Sequence, residues 1–152
     1  MKAFILSLAL SLSFSSSIFA STETFECKDF KGNVVSGTVA RLKEVMNSRA
    51  NRPQVLVTGV ITKIQQEDHS GLPHQKYSLK VDSNIELLIV SNLDFGRVPL
   101  SVGKTVSVCG EFKKLGNTGM VHWTHFDPHG PHADGFTVVD GRLYGDKEVS
   151  DR

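Results

Sequence analysis

The chain has 152 residues, a formal net charge of +1 and 39% hydrophobic residues. This length fits one domain with a single small core. General binders of the nucleic-acid backbone usually carry a basic excess. Without residues 1–20 the chain would hold 16 basic and 16 acidic residues, because Lys2 is the only charged residue in that segment. We therefore expect no strong general binding of nucleic acid.

The first 20 residues have the pattern of a secretory signal peptide. Lys2 precedes an apolar run at 3–12, and the small residue Ala20 ends the segment. The run is interrupted by serines and is too short to span a bilayer. We expect cleavage after Ala20, no membrane anchor after cleavage, and an exported protein that is periplasmic or secreted.

The chain has two cysteines, Cys27 and Cys109. An even pair in an oxidising compartment usually forms a disulfide, which would tie the N-terminal segment to a late strand. Cys109 lies in the apolar, alternating run "TVSVCGEF", which favours a buried structural sulfur over an exposed thiolate. We predict a Cys27–Cys109 disulfide; two free thiols, one of them catalytic, are the alternative.

One amphipathic helix is predicted at about 38–48, ended by Asn51 and Pro53. Its apolar positions are Val39, Leu42, Val45 and Met46. From Pro53 onward the pattern becomes that of β-strands. Five strands are predicted, in "QVLVTGVITKIQQ", "QKYSLKVDS", "NIELLIVSN", "TVSVCGEFKK" and "MVHWTHF".

Three local features refine the β region. Gly59 inside the first strand predicts a bend or a bulge. In the second strand Tyr77, Leu79 and Val81 share one face. The late stretch "GFTVVDGRLYG" could form one more short strand pair.

The order of these elements predicts a mainly β fold with one N-terminal helix, as a single domain at 21–152. A bent first strand suits closure, so the predicted architecture is a small five-strand antiparallel OB-like barrel. An SH3-like barrel, or a meander packed on the helix, fits the same periodicity.

All six histidines lie in two short stretches, "EDHSGLPHQKY" and "MVHWTHFDPHGPH". Loops at strand ends of a small barrel gather at one rim, where OB barrels bind ligands. We therefore expect the two stretches to form one site. In an extended strand His122 and His125 point to opposite sides, so they converge only if the chain bends, and Pro128 predicts a bend just after Asp127. His129 and His132 are expected to be solvated loop residues.

The combined motifs resemble a bacterial family of small exported domains of unknown function. The resemblance rests on "GVITKIQQEDHSGLPHQKYSLKV", "VSNLDF", "VCGEF" and "GMVHWTHFDPHGPHADGF", and spans roughly residues 55–144. It marks His74, Gln75, Tyr77, Asn92, His122, Trp123, Thr124, His125, Asp127 and Pro128. Phe126 stands where members of this family often have a second consecutive histidine. The resemblance implies a site and no established activity.

The first functional hypothesis is a hydrolase of phosphodiesters, nuclease-like, helped by a metal or by histidine acid–base chemistry. Its candidate catalytic residues are His74, Gln75, Asn92 and His122. Its candidate ligands for a divalent metal, zinc or similar, are His69, His125 and Asp127. No other cofactor is expected.

The second hypothesis is a binding module without catalysis, whose partner is an oligosaccharide, a peptide or a nucleic-acid segment. Trp123 and Tyr77 would offer stacking surfaces, and the histidines would supply hydrogen bonds. Metal capture by the late histidine-rich loop is the third hypothesis. The pattern alone does not choose the ligand.

Overall fold

The computed structural model describes residues 25–67 and 71–146. The predicted signal peptide and His69 lie outside these residues. The helical elements are α1 (Val39–Asn47) and a 3₁₀ turn (Leu93–Phe95). The strands are β1 (Gln54–Ile64), β2 (His74–Asp82), β3 (Ile85–Asn92), β4 (Thr105–Leu115), β5 (Thr118–His122), β6 (Phe136–Val139) and β7 (Arg142–Tyr144). No helix in the described ranges is long and apolar enough to cross a membrane.

The N-terminal helix forms where the sequence predicts it. The Thr38 hydroxyl caps α1 by accepting a 3.2 Å bond from the Arg41 N–H, which satisfies one of the free amides of the first turn. Leu42 and Val45, one turn apart, are buried in the main core. The helix ends at Asn47, before Asn51 and Pro53. Its C-cap residue, Ser48, has an extended backbone, and the Ser48 N–H donates to the Val45 carbonyl.

Five strands close into a barrel in the order β1-β2-β3-β5-β4, with β4 pairing back to β1. This confirms a mainly β, OB-like barrel with one N-terminal helix. One detail of the prediction is wrong, because β3 and β5 are parallel and the barrel is mixed. After β3 the chain crosses the barrel, and β4 pairs with β1. β5 then pairs antiparallel with β4 and lies beside β3, to which it is parallel.

Gly59 is the bend that permits closure. β1 pairs with β4 through 54–60 and with β2 through 60–64, so the strand changes partner next to this glycine. A Cβ atom at position 59 would lie 2.4 Å from the Lys80 carbonyl oxygen. Only a residue without a side chain lets the two backbones approach this closely.

A disulfide and a hairpin complete the domain. Cys27 and Cys109 are bonded, with 5.6 Å between their Cα atoms, which confirms the predicted pair. Closing a loop of 82 residues stabilises the fold by about 4–5 kcal/mol in the chain-entropy model. β6 and β7 form the additional strand pair that the late stretch suggested, and β6 extends the sheet from β4.

Replacing Gly59 with Ala should destabilise the protein by about 1–3 kcal/mol, because the new methyl group would press on the Lys80 carbonyl. Equilibrium unfolding in urea measures the loss. Lys63→Gln, a change at an exposed position of the same strand, should stay within about 0.5 kcal/mol of the parent. Equal stability of the Gly59→Ala variant and the parent would show that β1 does not need its glycine bend.

Candidate functional site

A cavity of about 400 Å³ lies at one rim of the barrel, and we call it the main cavity. Its apolar wall is formed by Leu72, Val90, Phe95, Met120, Trp123, Pro128 and Pro131. Its polar groups are His74, Asn92, Asp94, His122, His125, Asp127 and His129. A concave, largely apolar surface with some converging polar groups is the usual form of a ligand site.

The topology explains why residues from distant stretches meet here. β3 and β5 run in parallel, so their C-terminal ends lie side by side. His74, the first residue of β2, is paired with Asn92, the last residue of β3. The structure therefore brings His74 from the first histidine stretch to the same cavity as His122, His125 and His129 from the second. The catalytic and binding roles of these residues stay predictions.

The bend that joins His122 to His125 lies at Trp123. β5 ends at His122 rather than continuing to residue 126, and Trp123 has a left-handed backbone with φ 52°. Gly135 makes room for this turn, because a Cβ atom there would lie 2.0 Å from the Trp123 carbonyl oxygen. The chain also turns just after Asp127, as Pro128 predicted, and there the Gly130 N–H donates to the Asp127 carbonyl at 3.3 Å. The sequence missed only the turn at Trp123. A left-handed tryptophan is strained, and such strain is found most often at functional sites.

His125 is a buried, neutral base. Its ring stacks on Phe95 with 3.8 Å between centroids, and only 6% of the residue is exposed. Nδ1 donates a 2.6 Å bond to the Phe126 carbonyl, so the lone pair of the neutral ring lies on Nε2. Burial lowers the pKa of His125, against the opposing effects of that bond and of the Asp127 charge.

Asp127 holds the loop that follows it. Its carboxylate accepts backbone bonds from His129 at 3.0 Å and from His132 at 2.7 Å. Burial would raise the pKa of Asp127, but the N–H groups of His132 and His129 hold it below the ordinary value. Among the described residues no three His, Cys, Asp or Glu side chains group as metal ligands. His69 lies outside those residues, so metal binding stays a prediction.

Two residues expected at the site belong to the interior. The Gln75 amide accepts from the Val98 N–H at 2.8 Å and donates to the Val98 carbonyl at 3.2 Å. Gln75 therefore holds the connection between β3 and β4, and it is not among the residues that line the main cavity. Tyr77 is fully buried, which raises the pKa of its phenol and removes its ring from any ligand. Strand alternation places both side chains inside the barrel.

Asn92 caps the 3₁₀ turn and also lines the main cavity. Its side-chain oxygen accepts a 2.9 Å bond from the Asp94 N–H at the start of this turn. Asn92 thereby fixes the turn that presents Phe95 to His125.

A buried carboxylate at the rim, Glu111, was not among the predicted site residues. It is 7% exposed and pairs with the Arg52 guanidinium. His132 Nδ1 lies 3.0 Å from one oxygen, and His122 Nε2 lies 3.2 Å from the other. The His122 contact is close without the alignment of a hydrogen bond. The available signal was a single acid inside the apolar run "TVSVCGEF", directly opposite His122 on β5.

His132 is part of this cluster and is not a solvated loop residue. Its ring stacks on Trp123 with 3.6 Å between centroids and 15° between planes. His129 is exposed, as expected. Arg52 has a left-handed backbone, φ 54°, and its guanidinium lies 3.2 Å from His132. Arg52 and Trp123 are thus two strained residues that contact the same imidazole.

The protonation of His122 depends on this cluster. Burial lowers its pKa; the charge of Glu111 opposes the shift, and the charges of Arg52 and Lys113 add to it. The resulting pKa of His122 lies below the ordinary histidine value. His122 and His125 therefore both present neutral imidazoles at neutral pH.

A family model described as "Protein of unknown function (DUF3465)" matches residues 28–145. The chain belongs to this family. The matched region contains the whole barrel and every residue of the main cavity, so the cavity is part of the shared domain. The comparison with curated proteins gave no match. The family description supplies no activity, and the function must be argued from the site.

The stability of this DUF3465 domain should fall as the pH drops below about 6.5, the ordinary histidine pKa. His125 has a lowered pKa in the folded state, so the unfolded chain takes up the proton first and acid favours unfolding. The stabilisation is complete above the unfolded pKa and is lost as the pH falls toward the folded pKa. Urea unfolding at several pH values measures the slope.

His125→Gln is the matched variant for this experiment. It should reduce the slope while leaving the part that His122 contributes with the same sign. A parent protein whose stability rises on acidification from pH 7 to 5 would contradict the neutral, buried state of His125.

Proposed function

We propose that the protein is a binding module whose ligand places a largely apolar, ring-containing group in the main cavity. The observation that supports this proposal is the composition of the wall. Seven apolar side chains line the cavity together with imidazoles, and neither Lys nor Arg is among its lining residues. Such a wall favours an uncharged ring over a bare anion.

The polar groups would orient the ring. Neutral imidazoles offer one donor and one acceptor each, and His122 and His125 both have lowered pKa values. His74 and Asn92 add further hydrogen-bonding groups to the lining of the cavity. One sugar ring, one nucleobase or one peptide side chain, held within an oligomeric ligand, fits this combination.

We also propose that the protein works outside the cytoplasm. The Cys27–Cys109 bond is of the kind that persists in oxidising compartments. The signal-peptide pattern of residues 1–20 supports the same location.

Ligand binding should change the fluorescence of Trp123, the only tryptophan in the chain and a wall of the main cavity. Titration with short oligosaccharides, peptides and single-stranded oligonucleotides measures it. Val90→Phe, which fills the cavity, should weaken binding at least about tenfold, or 1.4 kcal/mol.

Val102→Phe is the matched control, because Val102 is 64% exposed and does not line the main cavity. It should bind like the parent. Equal binding by the parent and the Val90→Phe variant would place the ligand elsewhere and reject the proposal.

Hydrolysis of phosphodiesters by histidine acid–base chemistry is the second candidate function. It is favoured by His125, whose Nδ1 is fixed on a backbone carbonyl and whose Nε2 can accept a proton at neutral pH. His74 and His122 border the same cavity and would supply the complementary acid. A divalent metal held partly by His69 would be an addition to this mechanism.

His125→Gln should reduce any cleavage of bis(p-nitrophenyl) phosphate or RNA by about 10²–10⁴-fold, the usual contribution of a general base. Initial rates with added Zn²⁺, Mg²⁺ or Mn²⁺ and with a chelator separate a metal-dependent from a metal-free reaction. A variant as active as the parent would exclude His125 as the base. No cleavage by the parent under any of these conditions would reject the hydrolase and leave the binding module as the remaining proposal.

A further inference from the structure

A second cavity, of about 440 Å³, lies on the other side of His122; we call it the basic cavity. It is lined by Arg52, Lys113 and Lys114, with Asn51 beside them and Val45 and Phe112 among its apolar residues. No Asp or Glu is among its lining residues. His122 borders both cavities and is therefore the wall between an apolar space and a cationic one.

The charges of the basic cavity are only partly neutralised. Glu111 pairs with Arg52 through one guanidinium nitrogen. The Lys114 ammonium donates to the Met46 carbonyl at 3.2 Å and has no carboxylate partner among residues 25–67 and 71–146. Within the described ranges Lys113 has no carboxylate at ion-pair distance, and its charge acts on His122. An anion placed here would be surrounded by Lys113, Lys114, the Glu111-paired Arg52 and the His122 imidazole.

One ring nitrogen of His122 lacks a well-aligned hydrogen-bond partner among the described residues. This atom, Nε2, is buried. Glu111 is the nearest acceptor, 3.2 Å away but out of line. Buried polar nitrogens are nearly always hydrogen-bonded in high-resolution protein structures.

We propose that the basic cavity is a phosphate subsite, and that one nucleotide unit, free or within a single strand, spans both cavities across His122. This assignment rests on the proposed binding function and names its ligand class. Phosphate suits a cluster of Arg and Lys with an amide nearby, and the ring of the same unit suits the main cavity. One phosphate subsite is compatible with a neutral chain, since affinity for a long backbone needs many such contacts.

The test uses histidine NMR titrations and Trp123 fluorescence, with inorganic phosphate, phenol and phenyl phosphate as probes. Phosphate should raise the pKa of His122 with saturation, because an adjacent anion favours the imidazolium. Phenyl phosphate should bind at least about tenfold more tightly than either fragment. AMP and a thymidine hexanucleotide then distinguish a free nucleotide from a strand.

Lys113→Gln/Lys114→Gln should abolish the effect of phosphate on His122. Lys63→Gln/Lys80→Gln, an equal loss of charge at two exposed positions outside the basic cavity, should leave it intact. Val90→Phe should remove the advantage of phenyl phosphate over phosphate. Melting temperatures confirm that each variant is folded.

The results separate the two proposals. An unchanged His122 pKa in saturating phosphate would overturn the phosphate subsite, while quenching of Trp123 by phenol would leave the proposed function standing. Binding of phosphate with no gain from the phenyl ring would overturn the shared ligand. Loss of phosphate binding in the Lys63→Gln/Lys80→Gln variant as well would reduce the effect to general screening of surface charge.

Discussion

The candidate site depends on one buried carboxylate, Glu111. Its oxygens lie close to Arg52, which precedes β1, and to His122 and His132, which lie at the end of β5 and in the loop that follows it. Burying a carboxylate is costly unless its partners compensate for lost hydration. The arrangement therefore persists only while the partners stay in place, and it couples the segment before β1 to the loop after β5.

This coupling shapes the main cavity. His132 reaches Glu111 across the loop and stacks on Trp123, which holds the left-handed turn at the end of β5. Asp127 fixes the same loop from inside through two backbone bonds. The part of the cavity wall between Trp123 and Pro131 thus lies in a segment without regular secondary structure. The rigid barrel supplies the position of that segment, and the polar cluster supplies its conformation.

Local pattern was sufficient for the elements of the fold. Helical spacing located α1, β-branched alternation located the strands, and Gly59 marked the bend. The parallel pairing of β3 with β5 was out of reach, because it follows from the path of the chain between β3 and β4 and not from any residue in either strand. Alternation also contained a correct signal against Tyr77 as a stacking residue, since it placed Tyr77 on the same face as Leu79.

The site was harder to predict than the fold. Convergence of the two histidine stretches followed from barrel geometry and was expected. The turn at Trp123 had no local signal, because neither Gly nor Pro occupies that position; the glycine that permits it, Gly135, lies twelve residues later. Glu111 was missed because a charged side chain in a strand is normally solvated, and its partners Arg52 and His132 are 59 and 21 residues away in the sequence.

The most direct measurement of the central claim is the crystal structure of the Glu111→Gln variant. If Glu111 organises the rim, the barrel should be unchanged while His132 leaves Trp123 and the loop at 128–132 moves away from the main cavity. An unaltered stack of His132 on Trp123, with Arg52 and His122 in their present positions, would contradict the account.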